Sequence, residues 1–295
     1  MKKVLLLISP KSRRGAESIT LASEHLQTLG YSIINDPNQE STDPNGLIIK
    51  YAKEISYVIV GGGDGSVNKV LPSLVKAQVP LVVIPLGTAN NLARHYNLSY
   101  DIAEALRVIE FGVNMKIDLG LVNNIYFVNV VGLGLSTYVN TRVPATLKKY
   151  LGAFAFVLTA FYLSTKIRPF RLNILADGKS YTRRSWQISV CNGRHYGNGL
   201  TVKHDASLLD GKLHALSTEV AKWWQGFFLI PALISGRYKK DHDVSLFEAE
   251  TIELTTRRIL KIDVDGDIQT RTPATFKVHR SALLLRIPES EGSNL

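Results

Sequence analysis

Apolar positions fall in short continuous runs through the first third of the chain and in alternating runs later. Val4–Ile8 is a continuous run of the kind that a parallel strand buried on both faces carries. Ile19, Ala22, Leu26 and Leu29 follow at helical spacing, and Gly30 stops that helix. Tyr31–Ile34 and Tyr57–Val60 read as further strands, the second opening into Gly61-Gly62-Gly63-Asp64-Gly65. The pattern then predicts a helix over Val67–Ala77, a strand over Leu81–Ile84, a loop at Pro85-Leu86-Gly87-Thr88, and a helix from about Ala89. Asp101 and Glu104 form a capping box for Ile102–Phe111, which Gly112 ends. Repeated strand–helix units imply right-handed crossovers and a doubly wound α/β sheet.

After Ile117 strand-like runs dominate: Ile125–Val131, Phe170–Ala176, Ser185–Cys191, Leu213–Thr218, Val244–Leu254 and Arg258–Val264. Asp177-Gly178 between two of them signals a hairpin. One helical stretch, about 145–165, interrupts them. The expected organisation is an α/β domain over 1–118 and an all-β sandwich domain over 119–280, with 281–295 completing the first domain.

Composition changes this picture little; charge changes it more. The 295 residues are 45% hydrophobic and 20% charged, as in an ordinary globular protein, which excludes a disordered or collagen-like chain. Lys+Arg 35 against Asp+Glu 25 leaves a net charge of +10. Such a balance favours polyanions: phosphate-bearing substrates, anionic membrane surfaces or nucleic acid. Nucleic acid is not expected, because no recognition motif or clustered basic stripe accompanies the charge. The single cysteine, Cys191, excludes an intrachain disulfide and a Cys-rich metal site and fits a reducing compartment. The seven histidines show no metal-ligand spacing. Val4–Ile8 is shorter than the about 7–15 residues of an export signal, and Leu151–Leu163 shorter than the about 18–20 needed to cross a bilayer.

The chemistry concentrates in two loops. Three glycines after a buried strand let backbone N–H groups approach a ligand closely, and Ser66 is placed to cap the next helix, whose positive end favours an anion. The loop lacks the Gly-Lys-Ser/Thr of a Walker A motif, and Ser66 stands where a dinucleotide fingerprint has its third glycine. Asp64 either meets a phosphate through a divalent cation, accepts a hydroxyl proton, or is a solvated residue of a tight turn. Pro85–Asn91 repeats the design with Thr88 as the expected cap; Asn90 and Asn91 contact a ribose or base, or only stabilise the turn. Both loops belong at the carboxyl edge of one sheet, where open α/β sheets bind ligands. The loop from Ser9 to Gly15 opens nearby with Lys11, Arg13 and Arg14.

Gly62-Gly63-Asp64-Gly65-Ser66-Val67-Asn68 resembles the nucleotide motif of the diacylglycerol kinase catalytic-domain family, and Pro85-Leu86-Gly87-Thr88-Ala89-Asn90-Asn91-Leu92-Ala93-Arg94 resembles its second motif. Asn129, Gly132, Gly134, Asn192-Gly193, Gly197, Gly199, Asp210-Gly211 and Asp265-Gly266-Asp267 recur in the family's order. The chain departs from the pattern at Ser9 (usually Asn), Lys69 (Glu), Asn91 (often Asp), His204 (often Pro) and Asp267 (Glu). The resemblance implies an N-terminal α/β domain and a C-terminal β-sandwich with the active site in a cleft between them. It implies transfer of the ATP γ-phosphoryl group to a lipid hydroxyl. ATP would lie on Ser9, Gly62, Gly63, Asp64, Gly65, Ser66, Asn68, Gly87, Thr88 and Asn90. Mg²⁺ would be organised by Asp64, and a structural Mg²⁺ held by Asp210. Asp265 or Asp267 would take the lipid hydroxyl proton, with Asp265 preferred; the plain alternative for both is a hairpin turn. The alternative function is a catalytically weakened nucleotide- or lipid-binding regulator, marked by Lys69 and Asn91.

Two segments are candidates for a membrane. Leu151–Leu163, flanked by Lys148, Lys149, Lys166 and Arg168, is either a lipid-facing helix or a buried one. Trp223-Trp224 with Phe227, Phe228 and Leu229 suits an interface, or equally a core element. The expected location is cytoplasmic, with peripheral association at anionic membranes.

Overall fold

The computed structural model describes residues 2–9, 15–34, 43–142, 168–197, 200–220, 222–235, 237–238 and 243–289. The chain divides into two compact units, Met1–Asp118 with Arg280–Leu295, and Leu119–His279. The stretches carrying Lys11, Arg13 and Arg14, and the expected helix over about 145–165 with Leu151–Leu163, lie outside the described residues.

The first unit runs β1 (Lys2–Ile8), α1 (Gly15–Thr28), β2 (Tyr31–Ile33), α2 (Pro44–Tyr51), β3 (Ile55–Gly62), α3 (Asp64–Ala77), β4 (Leu81–Pro85), α4 (Asn91–His95) and α5 (Ile102–Phe111), and enters β5 (Gly112–Val122). Four strands pair in the order β2-β1-β3-β4, and all their pairings are parallel. Successive side chains of β1 point to opposite faces, so Val4, Leu6 and Ile8 meet Ala22 and Leu26 of α1 and Leu106 and Ile109 of α5. α2 packs on β1, and α3 on β3, over the remaining apolar positions. Helices therefore cover both faces, which is the doubly wound arrangement. Full burial of side chains such as Leu5, Ile59 and Leu81 stabilises this layer by about 1.5–3 kcal/mol each.

The second unit carries β6 (Ile125–Phe127), β7 (Val130–Gly134), α6 (Leu135–Arg142), β8 (Phe170–Ala176), β9 (Lys179–Ser185), β10 (Gln187–Cys191), β11 (His195–Gly197), β12 (Leu200–Thr201) and β13 (Leu213–Thr218). A 3₁₀ helix (Trp223–Leu229), α7 (Ile230–Ser235), β14 (Val244–Ala249), β15 (Thr251–Thr256), β16 (Lys261–Val264), β17 (Asp267–Arg271) and β18 (Ala274–Pro288) complete the fold. One antiparallel sheet has the order β14-β13-β10-β7-β16-β17. Its apolar face (Leu133, Ile188, Val190, Ala215, Ile262) closes on Leu172, Ile174, Ile252, Leu254 and Phe276 of β8, β15 and β18. Two sheets sharing one apolar layer make this a β-sandwich.

The structure refines several expected elements. Val244–Leu254 is two strands in two sheets, broken at Glu250, because Asp177 accepts the N–H groups of Glu250 and Thr251. Ile125–Val131 likewise splits between β6 and β7. The stretch expected to divide at 280 between the two domains is one strand, β18, with Ser281 at φ +50° in its middle. α2, which the pattern did not predict, starts at Asp43, whose side chain accepts the Asn45 N–H, with proline at the first helical position.

Candidate active site

Strand register brings the predicted loops to one edge. Ile8 pairs with Gly61, and Gly61 with Ile84, so Ser9, Gly62 and Pro85 leave three neighbouring parallel strands together. The two glycine loops touch through their backbones. A Cβ on Gly87 would lie 2.4 Å from the Gly63 Cα, and one on Gly63 3.2 Å from the Gly87 Cα. Leu86 N–H donates to the Gly62 carbonyl at 3.0 Å, which ties the loops in register. Glycine at both positions is thus a packing requirement as well as an opening for a ligand.

The caps differ from those expected. Gly63, not Ser66, is the N-cap of α3, and its carbonyl accepts Ser66 and Val67 N–H. Ser66 sits exposed in the first turn, and Asn68 is buried one turn into the helix. Asn90, not Thr88, is the N-cap of α4, at φ +47°. Its side-chain oxygen accepts Gly87 N–H at 3.0 Å and its amide donates to the Gly87 carbonyl at 2.8 Å, closing the second loop. A tight Gly87-to-Asn90 ring needs both partners and leaves Thr88 exposed at its tip.

Asp64 stands at the first position of α3 and binds the other loop. Its carboxylate accepts Asn91 N–H at 3.0 Å, Leu92 N–H at 3.1 Å and the Asn91 amide at 3.4 Å. It therefore caps α4 across space and couples the two loops. This is a role distinct from the three considered in the sequence, and the same contact shows what the Asn at 91 does: its amide donates where a second carboxylate would repel.

In the second unit, Asp265-Gly266 is the two-residue turn between β16 and β17, with φ +47° and +102°. These are the left-handed angles of a type I′ hairpin, so the turn alternative describes its backbone. The Asp265 carboxylate points inward and accepts Val128, Asn129 and Val130 N–H at 2.9, 3.1 and 2.8 Å. Asn192 donates its amide to the Val128 carbonyl at 3.2 Å beside it. Asp267, two residues on, is exposed, and its carboxylate has no partner among the described residues. Burial, and then the nearby Asp265 charge, push the Cys191 thiol far up from its ordinary value. Asp118 escaped the sequence analysis; it is buried within β5 and accepts Ser281 N–H at 2.7 Å. A lone acid between Ile117 and Leu119 in an apolar strand was the available signal.

The Asp210 carboxylate accepts Lys212 N–H at 2.9 Å on one oxygen, and on the other Ser207 N–H at 3.1 Å and His214 Nε2 at 2.9 Å. His214 is buried, and its Nδ1 has no partner among the described residues. Burial works to raise the Asp210 carboxyl, but the His214 hydrogen bond and the two N–H groups outweigh it and hold the group below the ordinary 3.8. Asp64 and Asp210, the two expected Mg²⁺ ligands, both direct carboxylate oxygens at N–H donors. Among the described residues no three His, Cys, Asp or Glu gather around a common point.

Known proteins share this arrangement. The diacylglycerol kinase catalytic domain matches residues 3–122, and the YegS C-terminal NAD kinase beta sandwich-like domain matches residues 129–287. The diacylglycerol kinase of Bacillus subtilis (strain 168) is 26% identical over 282 residues, covering 94% of this chain and 93% of that protein. That of Staphylococcus aureus (strain bovine RF122 / ET3-1) is 28% identical over 221 residues, 74% of this chain and 70% of its own. A crystal structure from Bacillus anthracis str. Sterne superposes with a TM-score of 0.80 at 22% identity over 98% of both chains. A second from that strain, of a diacylglycerol kinase, gives 0.74 at 20% over 98% of both; these two likenesses speak for the fold. Both halves of the chain, with the paired glycine loops in the first and the Asp-Gly-Asp hairpin in the second, thus place it in the diacylglycerol kinase family, and the chain belongs to that family of kinases.

Proposed function

We propose that the chain transfers the γ-phosphoryl group of ATP to the free hydroxyl of a diacylglycerol or related lipid. The observation that carries this reading is the contact of Gly63 with Gly87 at the carboxyl edge of the parallel sheet. Two loops free of side chains at their contact offer backbone N–H groups to a polyphosphate, and the start of α3 adds its dipole. The names of the relatives supply the lipid. Asp64 acts as a positioning residue: by holding the start of α4 it keeps Gly87 against Gly63.

The transfer forms a bond between the lipid hydroxyl oxygen and the γ-phosphorus and breaks the bond from that phosphorus to the β-bridging oxygen. The hydroxyl proton goes to a carboxylate, leaving ADP and a phosphorylated lipid. Asp267 suits that acceptor, since its oxygens are exposed, whereas those of Asp265 are turned to three N–H groups. Mg²⁺ in this reading arrives on the nucleotide phosphates, whose charge it neutralises.

The test is incubation of the full chain with γ-labelled ATP, Mg²⁺ and mixed vesicles containing diacylglycerol, a sphingoid base and phosphatidylglycerol. Label is expected in a lipid, and Asp64→Asn is expected to lower its rate at least about 100-fold, the cost of a misplaced reacting group. Nucleotide binding by calorimetry with label in no lipid would overturn the kinase reading and favour a binding-only regulator.

A further inference from the structure

Folding leaves an aromatic pair of the second unit uncovered. Trp224 is 44% exposed and Phe228 75% exposed, and their rings meet edge to face at 6.0 Å. They stand four residues apart on the 3₁₀ helix, and the exposed Pro231 follows three residues later on α7. The segment is fastened to its unit from behind. α7 packs on β12. The Tyr238 hydroxyl donates to the Thr201 carbonyl at 2.6 Å, and its ring packs on Cys191, Val202 and Leu216. The aromatic pair is therefore displayed on a held element.

The segment that carries it is cationic. From Lys222 to Lys240 the sequence has Lys222, Arg237, Lys239 and Lys240 and neither Asp nor Glu. Lys222 is exposed at the start of the 3₁₀ helix with its ammonium 6.0 Å from the Trp224 ring, and Arg237 is exposed past the end of α7. Aromatic rings with apolar bodies flanked by cations are the composition of an element that lies in the headgroup boundary of an anionic bilayer. A second copy of the chain fits less well, because a two-fold contact would set this cationic segment against itself.

We propose that Trp224 and Phe228, with Lys222 beside them and Arg237 farther along the same segment, form a docking surface for anionic lipid bilayers. The inference deepens the lipid-kinase reading by naming how an acceptor with buried acyl tails is approached, and it rests on that reading only for its purpose. Its test contains no phosphoryl transfer. The full chain is sedimented with vesicles of phosphatidylcholine alone, or of phosphatidylcholine with phosphatidylglycerol, at low and at physiological salt. Binding should be at least about tenfold tighter to the anionic vesicles and weaken with salt, since exposed charges are screened over about 8 Å. Trp224→Ala with Phe228→Ala should lose at least about tenfold of it at an unchanged melting temperature. Phe228→Ser alone, at the more exposed ring, should lose part of it should the double variant misfold. Equal binding to both vesicle types, or wild-type binding by folded variants, overturns the proposal. So does a dimer in sedimentation that the double variant abolishes while vesicles stay unbound. Vesicle binding that follows these expectations in a protein that labels no lipid would uphold the docking surface and sink the kinase reading.

Discussion

The dipeptide Asp-Gly occurs at 64, 177, 210 and 265, and at each the carboxylate accepts backbone N–H groups. Asp64 receives Asn91 and Leu92. Asp177 receives Glu250 and Thr251, Asp210 receives Ser207 and Lys212, and Asp265 receives three. A short acid beside a residue without Cβ can sit at a helix start or in the left-handed region and still project its oxygens at a neighbour's amides. Asp265, the acid that the motif points to first, is held by three N–H groups, while Asp267 keeps exposed oxygens. Asp265→Asn leaves one acceptor oxygen for three donors, and each charged hydrogen bond lost costs about 1.5–3 kcal/mol. Its melting temperature should fall by several degrees in calorimetry. Asp267→Asn should melt as the wild type does and turn over lipid at least about 100-fold more slowly, within the usual contribution of a general base. A wild-type melting temperature with lost turnover in Asp265→Asn would return the base to Asp265.

At the scale of elements, ends matter more than middles. α5 closes on Arg286 of β18, whose guanidinium donates to the Val108 and Ile109 carbonyls at 2.8 and 3.0 Å, so the last strand supplies the charge that a helix C-terminus favours. The turn before β13 is held by Asp210 and His214. Because the folded Asp210 lies below its ordinary 3.8, its contribution is fully present above that value and is lost as pH falls through it and below. Melting temperatures of the wild type should therefore drop more steeply than those of Asp210→Asn as pH falls from about 5 to 3. Parallel curves for the two proteins would remove the pair from the stability of this turn.

At the scale of the molecule, β18 is the element that belongs to both units. Its first part pairs with β15, Thr251 opposite Lys277. Its last part lies beside β4, Leu285 opposite Leu81. Leu283, Leu285 and Ile287 are wholly buried in the first unit, so that unit's core is made from both ends of the chain. Deleting residues 280–295 should leave the first unit without about 1.5–3 kcal/mol for each of these side chains. Loss of its cooperative urea transition is expected, and a chain cut there that unfolds at the wild-type midpoint would contradict it. No helix among the described residues is long and apolar enough to cross a membrane.

The sequence by itself determined the order of strands and helices in the first unit apart from α2, the two glycine loops and the Asp177-Gly178 hairpin. These follow from local periodicity and from backbone angles that only certain residues adopt, and both are written within a few neighbouring positions. Tertiary structure alone decided that Gly63 lies against Gly87 and that Asp64 caps a helix 27 residues away. It also decided that Asp265 faces inward while Asp267 faces out, and that a run such as Val244–Leu254 divides between two sheets. Those outcomes depend on which N–H groups and apolar faces another segment brings into reach, and no local pattern encodes the position of a partner tens of residues or more away.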